Sequence, residues 1–76
     1  MKRVRVIVTL KAEVSDPQGT VITHALHTLG YKEIDEVRCG KYFEISVPDD
    51  FSEEEIKEIC QKVLSNPVIE DFKILS

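Results

Sequence analysis

The feature that most constrains this 76-residue chain is an internal echo. The stretch "IDEVRC" at 34–39 matches "IEDFKI" at 69–74 position by position in residue type, thirty-five places later. At the same offset Val21 falls on Ile56, Ala25 on Cys60 and Leu29 on Leu64, while Val8 and Leu10 fall on Phe43 and Ile45. A chain patterned this way reads as two strand-helix-strand halves, with a long middle strand ending the first and starting the second. The expected class is α+β: two pseudo-repeated units sharing a bent middle strand, with a mostly antiparallel sheet and helices on one face. The whole, residues 1–76, makes a single domain.

Local signals fill in the elements. "VRVIVTL" alternates, with Val4, Val6, Val8 and Leu10 on one face, which predicts a half-buried strand. Asp16 is the expected N-cap of the first helix and Pro17 its first residue, since a carboxylate accepts from orphan N–H groups and proline has none to orphan. Val21, Ile22, Ala25, Leu26 and Leu29 recur at helical spacing, and Gly30 closes the helix. Gly19 in the first turn costs helix propensity, which suggests close approach of another backbone or a ligand. From 34 to 47 the apolar residues are odd-numbered. A two-residue hairpin at Gly40-Lys41 would set Val37 opposite Glu44 and break that pattern. A single strand bent at Gly40 keeps it, as does a hairpin with an odd-length loop; the bent strand is preferred. "FSEEEIKEICQKVL" predicts the second helix, with Ser52 and Glu55 as a capping box, Phe51 and Ile56 as a hydrophobic staple, and a buried stripe of Ile56, Ile59, Cys60, Val63 and Leu64. Asn66 and Pro67 stop it, and Phe72 and Ile74 alternate in a last strand.

Charge and motif content narrow the function classes. The net charge of −4 argues against nucleic acid, because the Lys2, Arg3 and Arg5 cluster is small beside the acidic residues that follow. No apolar run reaches the ~20 residues of a membrane span, and no secretory leader is apparent. Cys39 and Cys60 have no CxxC spacing and alternate with apolar neighbours, as expected of buried free thiols in a reducing cytoplasm. His24 and His27 sit at i and i+3, but no third ligand lies one turn away. No phosphate loop and no nucleophile with its base is recognisable, so no catalytic, cofactor-binding or metal residue is expected.

Four stretches carry a family resemblance: "DPQG" at 16–19, "ALHTLGY" at 25–31, "EVRCGKYFEI" at 36–45 and "NPVIEDF" at 66–72. Together and in this order they resemble the PurS family, the small subunits of phosphoribosylformylglycinamidine synthase. Cys39 stands where the family more often has an aliphatic residue. The resemblance implies a non-catalytic subunit of an ATP- and glutamine-dependent ligase complex in purine biosynthesis. Its partners would be a glutaminase subunit (PurQ) that releases ammonia and a synthetase subunit (PurL) that uses ATP and Mg²⁺, and it would bridge the two and assist ammonia transfer. Self-association as a dimer or tetramer is implied as well. Interface residues are then expected at the DPQG turn, the GKY bend and the helix stop: Asp16, Pro17, Gln18, Gly19, Tyr31, Gly40, Lys41 and Tyr42. A small ACT-like regulatory domain binding an amino acid between two protomers is the alternative that the element order also allows.

Overall fold

The computed structural model describes residues 1–75. Strand β1 (Lys2–Leu10) leads through a short connector to helix α1 (Pro17–Thr28); strand β2 spans Gly40–Val47, helix α2 spans Glu53–Ile59, and strand β3 spans Glu70–Ile74. The three strands form one antiparallel sheet in the order β2-β1-β3, with Val6 opposite both Phe43 and Ile74. The class is the expected α+β.

β-Branched Val4, Val6 and Val8 line one face of the central strand and are buried there with Val47, Ile56 and Cys60. Helix α2 lies over this face, and Phe43, Ile45, Phe51, Leu64, Phe72 and Ile74 close the margin. Each fully buried aliphatic side chain contributes roughly 1.5–3 kcal/mol over exposure, so this small cluster carries most of the fold's hydrophobic stability. The helix is capped as its sequence dictates. Ser52 Oγ accepts from the Glu55 N–H at 3.1 Å, and Phe51 packs at the edge of the core. The other sheet face carries Arg3, Arg5, Ile7, Tyr42 and Glu44, and Arg3 approaches Glu44 at 3.8 Å, so the basic cluster is partly neutralised across the sheet.

Three expectations need correction. First, the helix does not run as one α-helix to Leu64. Cys60–Leu64 forms π-helical turns, in which the Ser65 N–H reaches back to the Cys60 carbonyl at 2.9 Å and Ser65 Oγ bonds the same oxygen. The wider turn shifts the apolar stripe, so Leu64 stays half-buried while Val63 swings out. Second, the strand ladder begins only at Gly40. Residues 34–39 run beside α1 without strand pairing inside the chain, so the preferred single strand over 34–47 is only its second half; Gly40 and Lys41 lie within β2, with no two-residue hairpin there. Third, the apolar stripe of α1 is not in the core. Val21 is 68% exposed and Leu29 74%, and of the helix's residues only Gly19 is buried.

The consequence is an extended shape. The radius of gyration is 15.8 Å and the principal extents are 50 × 25 × 14 Å. A compact chain of this length would have a radius near 11 Å. An arm with an uncovered apolar stripe, beside a sheet with one bare face, is costly to leave in water. Sedimentation equilibrium at micromolar concentration is therefore expected to show a homo-oligomer; a pure 8.7 kDa monomer would contradict this reading.

Candidate functional site

The DPQG turn and the segment leading into β2 meet through one carboxylate. Asp16 is 7% exposed; its Oδ1 accepts from the Gly19 N–H at 2.9 Å and its Oδ2 from the Cys39 N–H at 2.6 Å. The first bond caps α1, and the second ties the helix start to residues 37–39. Thr23, one turn further on, accepts from the Val37 N–H at 2.9 Å and donates to the Gly19 carbonyl at 2.8 Å. Between these bonds Gly19 passes so close to the opposite backbone that a Cβ would sit 2.0 Å from the Val37 oxygen. The glycine expected to mark a close approach does so, and the neighbour is this chain's own backbone. Arg38 braces the outside, donating from Nη2 to the Lys11 carbonyl at 2.9 Å and the Val14 carbonyl at 3.0 Å.

These bonds hold the Asp16 carboxyl below its ordinary pKa of 3.8: the Cys39 N–H contributes most, then the Gly19 N–H, with the Arg38 charge adding to them. Burial pushes the Cys60 thiol the other way, so its thiolate is disfavoured. Among the described residues no group of three or more His, Cys, Asp or Glu side chains could hold a metal ion.

The expected interface residues divide into two sets. Asp16, Pro17, Gln18, Gly40 and Lys41 line one shallow cleft with Cys39 and Glu70, and Gly19 is buried just behind it. Lys41 Nζ lies 3.9 Å from Glu70, whose carboxylate also accepts from the Asn66 N–H at 2.7 Å. Tyr42 is not in the cleft. It stands opposite Ile7, is 54% exposed, and donates from its hydroxyl to Glu44 at 3.0 Å. Tyr31 is remote from both, at the far end of α1. There the Tyr31 N–H bonds the Leu26 carbonyl and the Gly30 N–H bonds the His27 carbonyl, with Gly30 at φ +106°, a full Schellman stop.

The histidines separate. His24 is exposed, whereas His27 Nε2 donates to the Ile34 carbonyl at 2.6 Å and so fastens the loop after α1. Thr23 and Arg38 were not singled out in the sequence. A threonine in mid-helix is the only trace of the first, and nothing local signals the second.

Two outcomes follow from this geometry. Gly19→Ala is expected to lower stability by about 2 kcal/mol, because overpacking against backbone cannot relax by a rotamer change; a thermal melt unchanged from wild type would contradict it. The Asp16 carboxyl binds its proton less readily folded than unfolded. Its contribution is therefore complete above the ordinary carboxylate value and is lost as pH falls through the depressed folded value. Asp16→Asn is expected to melt lower than wild type at pH 7 and to lose less on acidification from pH 5 to 3, ranges set by ordinary carboxylate titration near ~4. Parallel melting curves of the two proteins over that window would count against the assignment.

Comparison with known proteins places the fold. The sequence model of the family described as "PurS: Phosphoribosylformylglycinamidine (FGAM) synthase" matches residues 3–76. The phosphoribosylformylglycinamidine synthase subunit PurS of Bacillus subtilis is 44% identical over 75 residues, covering 96% of this chain and 89% of its own. A crystal structure of B. subtilis PurS superposes with a TM-score of 0.88, covering 99% of this chain and 96% of that one. PurS of Methanocaldococcus jannaschii, described as one of the subunits of formylglycinamide ribonucleotide amidotransferase in the purine biosynthetic pathway, superposes with a TM-score of 0.84 at 38% identity, covering 99% and 94%. A chain of the PurLQS structure from Thermotoga maritima shares the fold, with a TM-score of 0.76 at 24% identity over 99% and 98% of the two chains. This chain belongs to the PurS family of phosphoribosylformylglycinamidine synthase.

Proposed function

We propose that the chain is a non-catalytic assembly subunit of phosphoribosylformylglycinamidine synthase in purine biosynthesis, bridging a PurQ-like glutaminase and a PurL-like synthetase. The single observation that carries this reading is the family match along nearly the whole chain, on a fold that commits its polar side chains to bracing an interface-shaped arm. The related T. maritima chain sits in a PurLQS assembly. In this reading the large subunit uses ATP and Mg²⁺, and this chain holds no cofactor. The free thiols at Cys39 and Cys60 suit the reducing cytoplasm.

The chemistry explains why such a subunit is useful. Ammonia released into bulk water is protonated and loses its nucleophilic lone pair. A subunit that fixes the glutaminase against the synthetase keeps the ammonia local and unprotonated, which raises its effective concentration at the acceptor. The exposed members of the cleft, Pro17, Gln18 and Lys41, with Tyr42 on the adjoining sheet face, are the proposed contacts; Asp16, Gly19 and Gly40 shape the backbone that presents them, and Tyr31 is a separate contact at the tip of α1.

Reconstitution tests the reading. Omitting this chain from a mixture of the two larger subunits is expected to lower glutamine-dependent synthase activity about tenfold or more while sparing activity driven by added ammonium salt. Equal loss of both activities would mean that the chain acts in the synthetase reaction itself, and no loss of either would remove it from the complex. Gln18→Ala and Tyr42→Ala, which leave the braced backbone intact, are expected to weaken binding to the large subunit; wild-type affinity in both would move the contact surface elsewhere.

A further inference from the structure

We propose that the sheet face turned away from the core docks the large synthetase subunit, at a part of that subunit where acidic side chains surround an apolar spot. This deepens the assembly role given above and rests on it.

The pleat decides what the face presents. Alternate residues of a strand point to opposite sides of the sheet, and Val4, Val6 and Val8 point into the core beneath α2. Arg3, Arg5, Ile7 and Thr9 therefore point away from it. Strand pairing sets Ile7 between Tyr42 and Lys73, and Arg5 opposite Glu44. The Leu75 N–H donates to the Arg5 carbonyl at 2.8 Å, which places Leu75 beside Arg5 on the same side. Tyr42 is 54% exposed and Leu75 38%, with Ile7 half-buried between its neighbours. The middle of the face is thus apolar, on a side of the sheet where the fold itself has no use for apolar groups.

That middle is also fixed in advance. The Tyr42 hydroxyl donates to the Glu44 carboxylate at 3.0 Å, and Arg3 approaches the same carboxylate at 3.8 Å. A ring already held in place loses little side-chain entropy when a partner covers it. Tyrosine and arginine are also the side chains most often found as interface anchors.

Charge selects the occupant. Arg3, Arg5 and Lys73 lie on this face, and Lys11, just past β1, pairs with Asp71 on it at 2.6 Å. Among the described residues, only Glu44 and Asp71 oppose these four cations, although the whole chain has a net charge of −4. The acidic excess lies elsewhere, with Glu53, Glu54 and Glu55 in the first turn of α2 on the other side of the sheet. A second copy laid face to face would set cation against cation. A phosphate backbone would meet Glu44 beside Tyr42 at the middle of the face. An acidic protein surface with an apolar centre meets neither obstacle: its carboxylates pair with the rim cations, and its apolar groups dry Ile7, Tyr42 and Leu75.

Binding to the immobilised large subunit tests this. Arg5→Glu and Lys73→Glu reverse charge on the face, Ile7→Thr removes apolar contact while keeping a β-branched side chain, and Lys57→Glu makes the same charge change on α2 as a control. Melting and sedimentation matching wild type establish that each variant is folded and self-associates normally. Each of the three face variants is expected to lower affinity at least about tenfold at low salt, with Lys57→Glu within about twofold of wild type. The wild-type affinity is expected to fall with added salt more steeply than that of the two charge variants. Wild-type affinity in all three face variants would overturn the inference while leaving the assembly role standing, as would single-stranded RNA displacing the large subunit from wild-type protein. A wild-type chain that does not bind the large subunit at all would remove the assembly role and this inference with it.

Discussion

One buried carboxylate decides the shape of this molecule. Asp16 binds the first turn of α1 with one oxygen and the backbone entering β2 with the other. Two stretches of chain that would otherwise be independent are thereby made a single stiff arm. The close passage at Gly19 and the Thr23 bond reinforce the join, and both lie on the same side of the helix. With that side committed to residues 35–39, the apolar stripe of α1 has nothing of its own chain to pack against. The open sheet edge, the exposed stripe and the elongated shape are all consequences of this one junction.

Much of this was legible in the sequence because it is local. The alternation of Val4, Val6 and Val8 fixes a strand with one buried face. Asp16-Pro17 starts a helix and Gly30 stops it, and Ser52 with Glu55 starts another. Gly19, where a helix-forming residue would be cheaper, correctly signalled a tight backbone approach. These signals depend on a few neighbouring residues and on the steric rules of the chain.

What was not legible is non-local. Periodicity shows that α1 has an apolar stripe, but not whether this chain's own sheet covers it, so the exposure of Val21 and Leu29 could not be read from their spacing. The alternation from 34 to 47 was real, but strand character needs a partner edge, and inside one chain only residues 40–47 have one. The π-helical turns at Cys60 depend on the Ser65 N–H and hydroxyl sharing one carbonyl, which no pattern of hydrophobicity reveals. The grouping of Pro17 and Gln18 with Lys41 follows from the Asp16 to Cys39 bond, and the separation of Tyr31 and Tyr42 from that group follows from the helix length and the strand pleat.

The central claim is that the Asp16 carboxylate joins the start of α1 to the backbone entering β2 as one stiff unit. Amide hydrogen exchange, resolved by residue, reads this most directly. The account predicts that the N–H groups of Val37 and Cys39, which lie outside the strand ladder, are protected in the wild-type protein and lose that protection in Asp16→Ala, while Val4 and Val6 in the centre of the sheet keep theirs. Exchange at Val37 and Cys39 that is unchanged by the substitution, with Val4 and Val6 still protected, would contradict it.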